Sequence, residues 1–254
     1  MVAWAFGTLG NRVVPRDAMA SIAAKVRRDN LAAQADCQAV SNIAWAFAQM
    51  GYKDRVLMAI LSARLQTDGF LQTCSPQALA STTWAFADLR VRDELLMAAI
   101  ADHIMADGGM PTGSPQSVSM IAGAFAILRI RNEPLLALLG DRIIETPGFI
   151  ETFQAQDVAT TAWAYATLGV VHQPLVAALS RRVKAPGYLA TFDATQLADT
   201  AWALVQLHIR DPDLMDRVAA RALEPGLLGT AHAHVLVRLT EAYTGMGILH
   251  RELM

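Results

Sequence analysis

One stretch recurs seven times along the chain, and its fullest copy is Ser75-Pro76-Gln77-Ala78-Leu79-Ala80-Ser81-Thr82-Thr83-Trp84-Ala85-Phe86-Ala87-Asp88-Leu89. With Trp84 as the reference, the equivalent residues are Trp4, Trp45, Gly123, Trp163, Trp202 and Glu241, at steps of 41, 39, 39, 40, 39 and 39 in chain order. A fixed step in this range marks arrays of helical pairs, in which a unit buries its apolar face only by stacking on its neighbours. The period predicts an all-α fold, an α-solenoid of helix-turn-helix repeats with a period of about 39 residues. It predicts one array over 1–254, with approximate units 1–35, 36–74, 75–113, 114–152, 153–192, 193–230 and 231–254, the first and last incomplete.

Each unit carries the marks of two helices. Positions minus 5, minus 2, plus 2 and plus 5 from the reference are mostly apolar, as in Val40, Ile43, Phe47 and Met50. At about 100° per residue they share one face, so this first helix is amphipathic. Asp36, Ser75, Ser114 and Asp193 stand where an N-cap belongs, with Pro76 and Pro115 at the first helical position after two of them. Asp54, Asp93, Asn132 and Asp211 suit the cap of a second helix, behind which Leu57, Leu96, Leu135, Leu175, Leu214 and Leu253 recur. The links, such as Pro186-Gly187-Tyr188, put Gly at a helix end and an apolar residue where the chain packs back.

The totals narrow the function. A chain 54% hydrophobic and 17% charged is not disordered, and a formal charge of -2 gives no global pull toward nucleic acid, so any cationic surface must be local. Cys37 and Cys74 are the only cysteines; neither lies in a CxxC pair or beside a His cluster, so neither a disulfide framework nor a zinc site is signalled, and a reducing compartment is compatible. The longest run without Asp, Glu, Lys or Arg, from Val158 to Ser180, holds Gly169, His172, Gln173 and Pro174 at a turn, which argues against a membrane span. Met1 to Gly10 matches the second half of the repeated helix instead of a targeting peptide, and Arg251 to Met254 only the first turn of a second helix. The expectation is a fragment of a longer protein, or a chain completed by a partner.

The first helix has a second face, formed by positions minus 7, minus 3 and plus 4 around the reference Trp, and its occupants are polar and variable. Asn42, Gln49, Ser81, Asp88, Thr160, Thr167, Asp199 and Gln206 stand at minus 3 and plus 4, with Gln38, Gln77, Gln116 and Gln156 at minus 7. A constant scaffold with one varying polar face suits modular reading of a polymer, because amides, hydroxyls and carboxylates match different base edges. The same faces also serve protein binding, or drift as ordinary surface. The Trp residues either stack on bases or fill the junction between first helices, and their small Ala and Thr neighbours favour packing.

Two rows of cations recur. One is Arg12, Lys53, Arg92, Arg131 and Arg210; the other is Arg64, His103, Arg142, Arg182 and Arg221. Stacking would align each set, and the second, with fewer acids beside it, is the better candidate for a phosphate backbone. The first is as readily explained by helix C-termini and the acids next door. No Gly-rich phosphate loop, HExxH or marked Ser, His and acid set is present; neither catalysis, a cofactor nor a metal is expected, and His232 and His234 suggest a surface pair.

The text Pro76-Gln77-Ala78-Leu79-Ala80-Ser81 leading to Trp84-Ala85-Phe86-Ala87-Asp88-Leu89, with its copies ending Trp45-Ala46-Phe47-Ala48-Gln49-Met50-Gly51 and Trp163-Ala164-Tyr165-Ala166-Thr167-Leu168-Gly169, resembles the octotricopeptide repeat. The resemblance covers essentially the whole chain, and related repeats accompany RAP and FAST kinase-like proteins. It implies a superhelix of paired helices that binds single-stranded RNA in chloroplast or mitochondrial gene expression, with the variable first-helix residues facing RNA. Gly123, Met120 and Ile127 depart from that pattern in the central unit. The expectation is a non-enzymatic RNA-binding array acting through its concave face in RNA processing, stability, translation or ribonucleoprotein assembly. The alternative is a scaffold gripping protein subunits of a larger organellar complex.

Overall fold

The computed structural model of the protein describes residues 16–229 and 231–247; Trp4, Arg12 and Leu253, singled out above, lie outside them. Among the described residues all regular structure is helical, thirteen α-helices with three short 3-10 turns. The chain divides into two compact units, the first ending at Leu135 and the second beginning at Leu136.

The N-terminal unit contains α1 (Arg16–Arg28), α2 (Leu31–Gln34), α3 (Cys37–Gln49), α4 (Arg55–Leu65), α5 (Pro76–Asp88), α6 (Glu94–Ala106), α7 (Pro115–Leu128) and the first turn of α8 (Glu133–Glu145). Its first helices pack in series, α3 on α5 and α5 on α7. The C-terminal unit contains the rest of α8, then α9 (Ala155–Leu168), α10 (Gln173–Val183), α11 (Ala194–Gln206), α12 (Pro212–Ala222) and α13 (Ala233–Met246), with α9 on α11 and α11 on α13. Within each unit this serial stacking of helical pairs is the α-solenoid arrangement.

The apolar stripe of each first helix is the core. Val40, Phe47, Leu79, Phe86, Val118, Phe125, Val158 and Tyr165 are all within 3% of full burial. Each such side chain contributes about 1.5–3 kcal/mol relative to exposure. Where the aromatic is Tyr, its hydroxyl has a partner: Tyr165 Oη donates to Leu136 O at 2.5 Å and Tyr243 Oη to Met215 O at 2.6 Å. Burial pushes both phenols well above their usual range. The alanines beside the reference Trp, Ala44 and Ala46 in α3 and Ala162 and Ala164 in α9, are fully buried, so small side chains carry the close approach of neighbouring first helices.

The helix starts follow their caps. Asp36 Oδ1 accepts from Ala39 N at 2.8 Å, Ser75 Oγ from Ala78 N at 3.2 Å, and Asp193 Oδ1 from Gln196 N at 2.8 Å. Second helices are capped at the amide of the recurring leucine: Leu57 N, Leu96 N, Leu135 N and Leu214 N donate to Asp54, Asp93, Asn132 and Asp211. A fifth member was not legible as a cap. His172 Nδ1 accepts from Leu175 N at 3.2 Å while its Nε2 faces Asp141 Oδ1 at 3.0 Å.

That histidine explains Gly140 in the middle of α8, because a Cβ there would lie 3.0 Å from His172 Cδ2. Gly140→Ala gains about 1 kcal/mol of helix propensity but crowds a ring that cannot swing away. Overpacking of this kind costs about 1–3 kcal/mol, so a net loss of stability is expected. Gly140→Ala combined with His172→Asn, which keeps a capping side chain and removes the ring, should recover it in a urea titration; a stabilising Gly140→Ala alone would contradict this packing.

The structure corrects one expectation about the cysteines. Cys37 and Cys74 form a disulfide, their Cα atoms 5.2 Å apart. Their separation of 37 residues is close to the step from one unit to the next, so stacking α5 on α3 brings the start of one first helix beside the approach to the other. Motif spacing such as CxxC has no access to that kind of proximity.

Candidate nucleic-acid interface

The second cation row lies on the second helices and points into the turns that precede the first helices. Arg64 donates from Nε and Nη2 to Ala35 O at 3.2 and 3.1 Å, Arg182 Nη2 to Phe153 O at 3.2 Å, and Arg221 Nη2 to Ala190 O and Phe192 O at 3.2 and 3.0 Å. The guanidinium carbons of Arg64, Arg142 and Arg182 sit 4.1, 4.1 and 3.7 Å from the ring centres of Phe70, Phe149 and Tyr188. These are the apolar residues that follow the link glycines, so the chain packs back onto an arginine face. Arg142 also donates to Thr146 Oγ1, and burial holds its guanidinium below the usual arginine range. Arg221 pairs in addition with Glu224. His103 is half-buried in α6 beside Cys74, lining a small cavity of about 210 Å³. The arginine donors of this row serve backbone carbonyls, side chains and aromatic faces inside each repeat.

Of the first row, Lys53 complements a helix end, and Arg92 and Arg131 pair with acids. Lys53 Nζ donates to Arg90 O, just past the end of α5, at 2.8 Å, and Arg90 Nη1 in turn donates to Ile127 O in the last turn of α7 at 3.0 Å. Cations thus offset the negative ends of neighbouring helices. Arg92 and Arg131 pair with Glu94 and Glu133 at 2.9 and 2.6 Å, more than half exposed on both sides. The expected acids have other partners: Asp54 meets Arg27, and Asp211 meets Lys184. The Lys184 ammonium holds the Asp211 carboxyl below the usual carboxylate range.

The variable face of the first helices is where the predicted base-facing residues lie. In the N-terminal unit it forms an open groove of about 270 Å³ running across α3, α5 and α7. Gln38, Asn42 and Trp45 line it from α3, Gln77 and Ser81 from α5, and Gln116 and Met120 from α7, over a floor that includes Ser41, Ala80 and Ser117. No residue lining the groove is charged. Gln38 Nε2 donates to Asn42 Oδ1 at 3.0 Å, an i,i+4 pair along the helix.

On the same face of the C-terminal unit the polar side chains bond to one another across helices. Gln196 Nε2 donates to Gln156 Oε1 at 3.1 Å, and Gln156 Nε2 to Thr160 Oγ1 at 2.9 Å. Asp199 forms a close ion pair with Arg238, whose guanidinium carbon lies 5.8 Å from the Trp202 ring centre. Gln196 and Arg238 were not among the predicted site residues, although Arg238 holds the same minus 3 position as Asn42 and Ser81.

The plus 4 residues lie elsewhere. Gln49, Asp88 and Gln206 are exposed and Thr167 is half-buried, but none of them lines the groove. Seven residues separate minus 3 from plus 4, about 10 Å along a helix axis, so the plus 4 residues lie beyond the groove. Trp45, Trp84, Trp163 and Trp202 are each half-buried.

Among the described residues no group of three or more His, Cys, Asp or Glu could hold a metal ion, and no helix is long and apolar enough to cross a membrane. A family model described as RNA-editing substrate-binding complex 6 protein matches residues 2–242, and the chain belongs to that family. No curated protein sequence matches the chain.

Proposed function

We propose that this member of the RNA-editing substrate-binding complex 6 family is a subunit of such a complex that binds single-stranded RNA on the variable faces of its first helices, without catalysis of its own. The base-facing residues are, at minus 3, Asn42 and Ser81 in the N-terminal unit and Thr160 and Asp199 in the C-terminal unit, and, at plus 4, Gln49 and Asp88 in the first and Thr167 and Gln206 in the second. The observation that carries this reading is the open, uncharged, hydrogen-bonding groove across α3, α5 and α7, in which a repeated Gln at minus 7 (Gln38, Gln77, Gln116) stands beside a varying residue at minus 3 (Asn42, Ser81, Met120). Family membership supports a place in RNA processing. The likeness to octotricopeptide repeats supports unit-by-unit contact with RNA, and an organellar site of action, chloroplast or mitochondrion.

Phosphate contacts fall to the exposed cations that follow the first helices, Arg92 and Arg131 among them, because their carboxylate partners are exposed and exchangeable. Arg64, His103, Arg142, Arg182 and Arg221 are left out of the proposed contact, since the arginines among them are committed within the repeats and His103 is half-buried. A protein contact within the complex is proposed for an apolar pair on the second helices, of which Leu95 shares a pocket with Arg92. Val56 and Leu95, at matching places in α4 and α6, are 58% and 76% exposed, an apolar pair that water alone does not favour.

Fluorescence anisotropy with a randomised single-stranded RNA at several salt concentrations tests the reading. Each phosphate contact adds roughly 0.7 to the salt slope for a single strand. Arg92→Ser/Arg131→Ser is therefore expected to reduce the slope by about 1.4. A folded wild-type protein with no salt-sensitive affinity would overturn the RNA reading and leave the protein contact as the function of the array.

A further inference from the structure

We infer that the groove across α3, α5 and α7 is a pocket for one unpaired adenine of the bound strand. The inference rests on the RNA reading above and names the base that its most open part takes. Size comes first. At about 270 Å³ the groove lies just under the range of pockets that hold cofactors and drug-sized ligands, roughly 300–1,000 Å³, so a single base enters and a larger cofactor does not.

Charge comes second. With no charged side chain in the lining, nothing in the groove offsets a phosphate, and the part of the ligand that enters must be neutral. A base enters while its phosphates stay outside. Trp45 in the wall offers an indole for stacking, a contact indifferent to base identity.

Hydrogen bonding decides the identity. The side-chain amides of Gln77 and Gln116 have no hydrogen-bond partner among the described residues, and both are exposed at the rim. In the C-terminal unit the corresponding Gln156 both accepts from Gln196 and donates to Thr160. Free amides are thus a property of the N-terminal groove. An amide spans the N6 and N7 edge of adenine with one donor and one acceptor, whereas guanine selects Arg or Lys and cytosine selects a carboxylate. Neither of those alternatives lines the groove. Uracil can also meet an amide, but its single ring covers less of the indole.

The test compares short oligo(A), oligo(U) and oligo(C) RNAs in anisotropy titrations against wild type, Gln77→Leu/Gln116→Leu and, as a matched control on the other unit, Gln156→Leu. Both groove glutamines are exposed, so the double variant is expected to melt with the wild type. Wild type should bind oligo(A) about tenfold more tightly than oligo(C), the double variant should lose that preference while keeping its oligo(C) affinity, and Gln156→Leu should keep the preference. An equal affinity for all three RNAs, a uracil preference, or an adenine preference that survives the double variant would overturn the pocket and leave RNA binding standing. Failure to bind any of the three would instead remove the reading on which the pocket depends.

Discussion

Opening the Cys37–Cys74 disulfide is expected to lower the unfolding free energy of the N-terminal unit by up to about 4 kcal/mol, the chain-entropy value for a loop closed by residues 37 apart. The bond encloses α3, α4 and the 3-10 turn at Leu71–Thr73, which is one complete repeat. In a linear array stability is close to a sum of units and their interfaces, so the loss should concentrate in α3 to α5 and spare the C-terminal unit. Hydrogen exchange with and without reductant resolves this by position, and Cys37→Ala/Cys74→Ser supplies the permanently open form. Two thiols titrating freely in the native, unreduced protein, or identical exchange in the two forms, would contradict the assignment.

Arg182→Ala should destabilise the C-terminal unit by about 2–4 kcal/mol. A charged hydrogen bond contributes roughly 1.5–3 kcal/mol and a cation held over an aromatic face about 0.5–2 kcal/mol, and Arg182 makes both, to Phe153 O and to Tyr188. The carbonyl it leaves behind, at the entrance to α9, keeps a donor in Tyr188 Oη at 2.8 Å, so no unpaired acceptor adds to the loss. Arg182→Lys separates this role from a phosphate contact. A lysine keeps the charge that a phosphate would need but loses the planar fork and the stacking, so it should recover only a small part of the stability. Urea titrations of the two variants, with RNA affinity measured on the folded protein, give the answer; full rescue by lysine, or a fall in RNA affinity without a fall in stability, would place Arg182 at a phosphate instead.

What could be read from the sequence was whatever depends on near neighbours along the chain. A cap and the amide it serves are three residues apart, as with Asp54 and Leu57 or Asp193 and Gln196, and the apolar stripe follows from the helical period alone. The face carrying Asn42 and Ser81 was legible for the same reason. The role of Arg182 was not, because its acceptor lies 29 residues earlier, at a turn whose carbonyl direction is set only once the two helices have packed. The disulfide was hidden in the same way by a separation of one unit. His172 escaped notice because a cap is expected from an oxygen, and an imidazole nitrogen does the work there. The link across the C-terminal face needed the partner of Gln156, which lies 40 residues away on α11.

The first helices in the N-terminal unit are fastened side by side, and this has a mechanical consequence. α3 and α5 are joined at both ends, by the disulfide where they begin and by Lys53 on Arg90 O where they finish, so they move as one plate. α7 packs along α5 as extensively as α5 packs along α3, and Arg90 on Ile127 O adds a link where these two helices finish. Packing along these seams holds the walls that bear Trp45, Ser81 and Met120 at a set spacing, so the groove is a preformed slot and not one that a ligand must pry open.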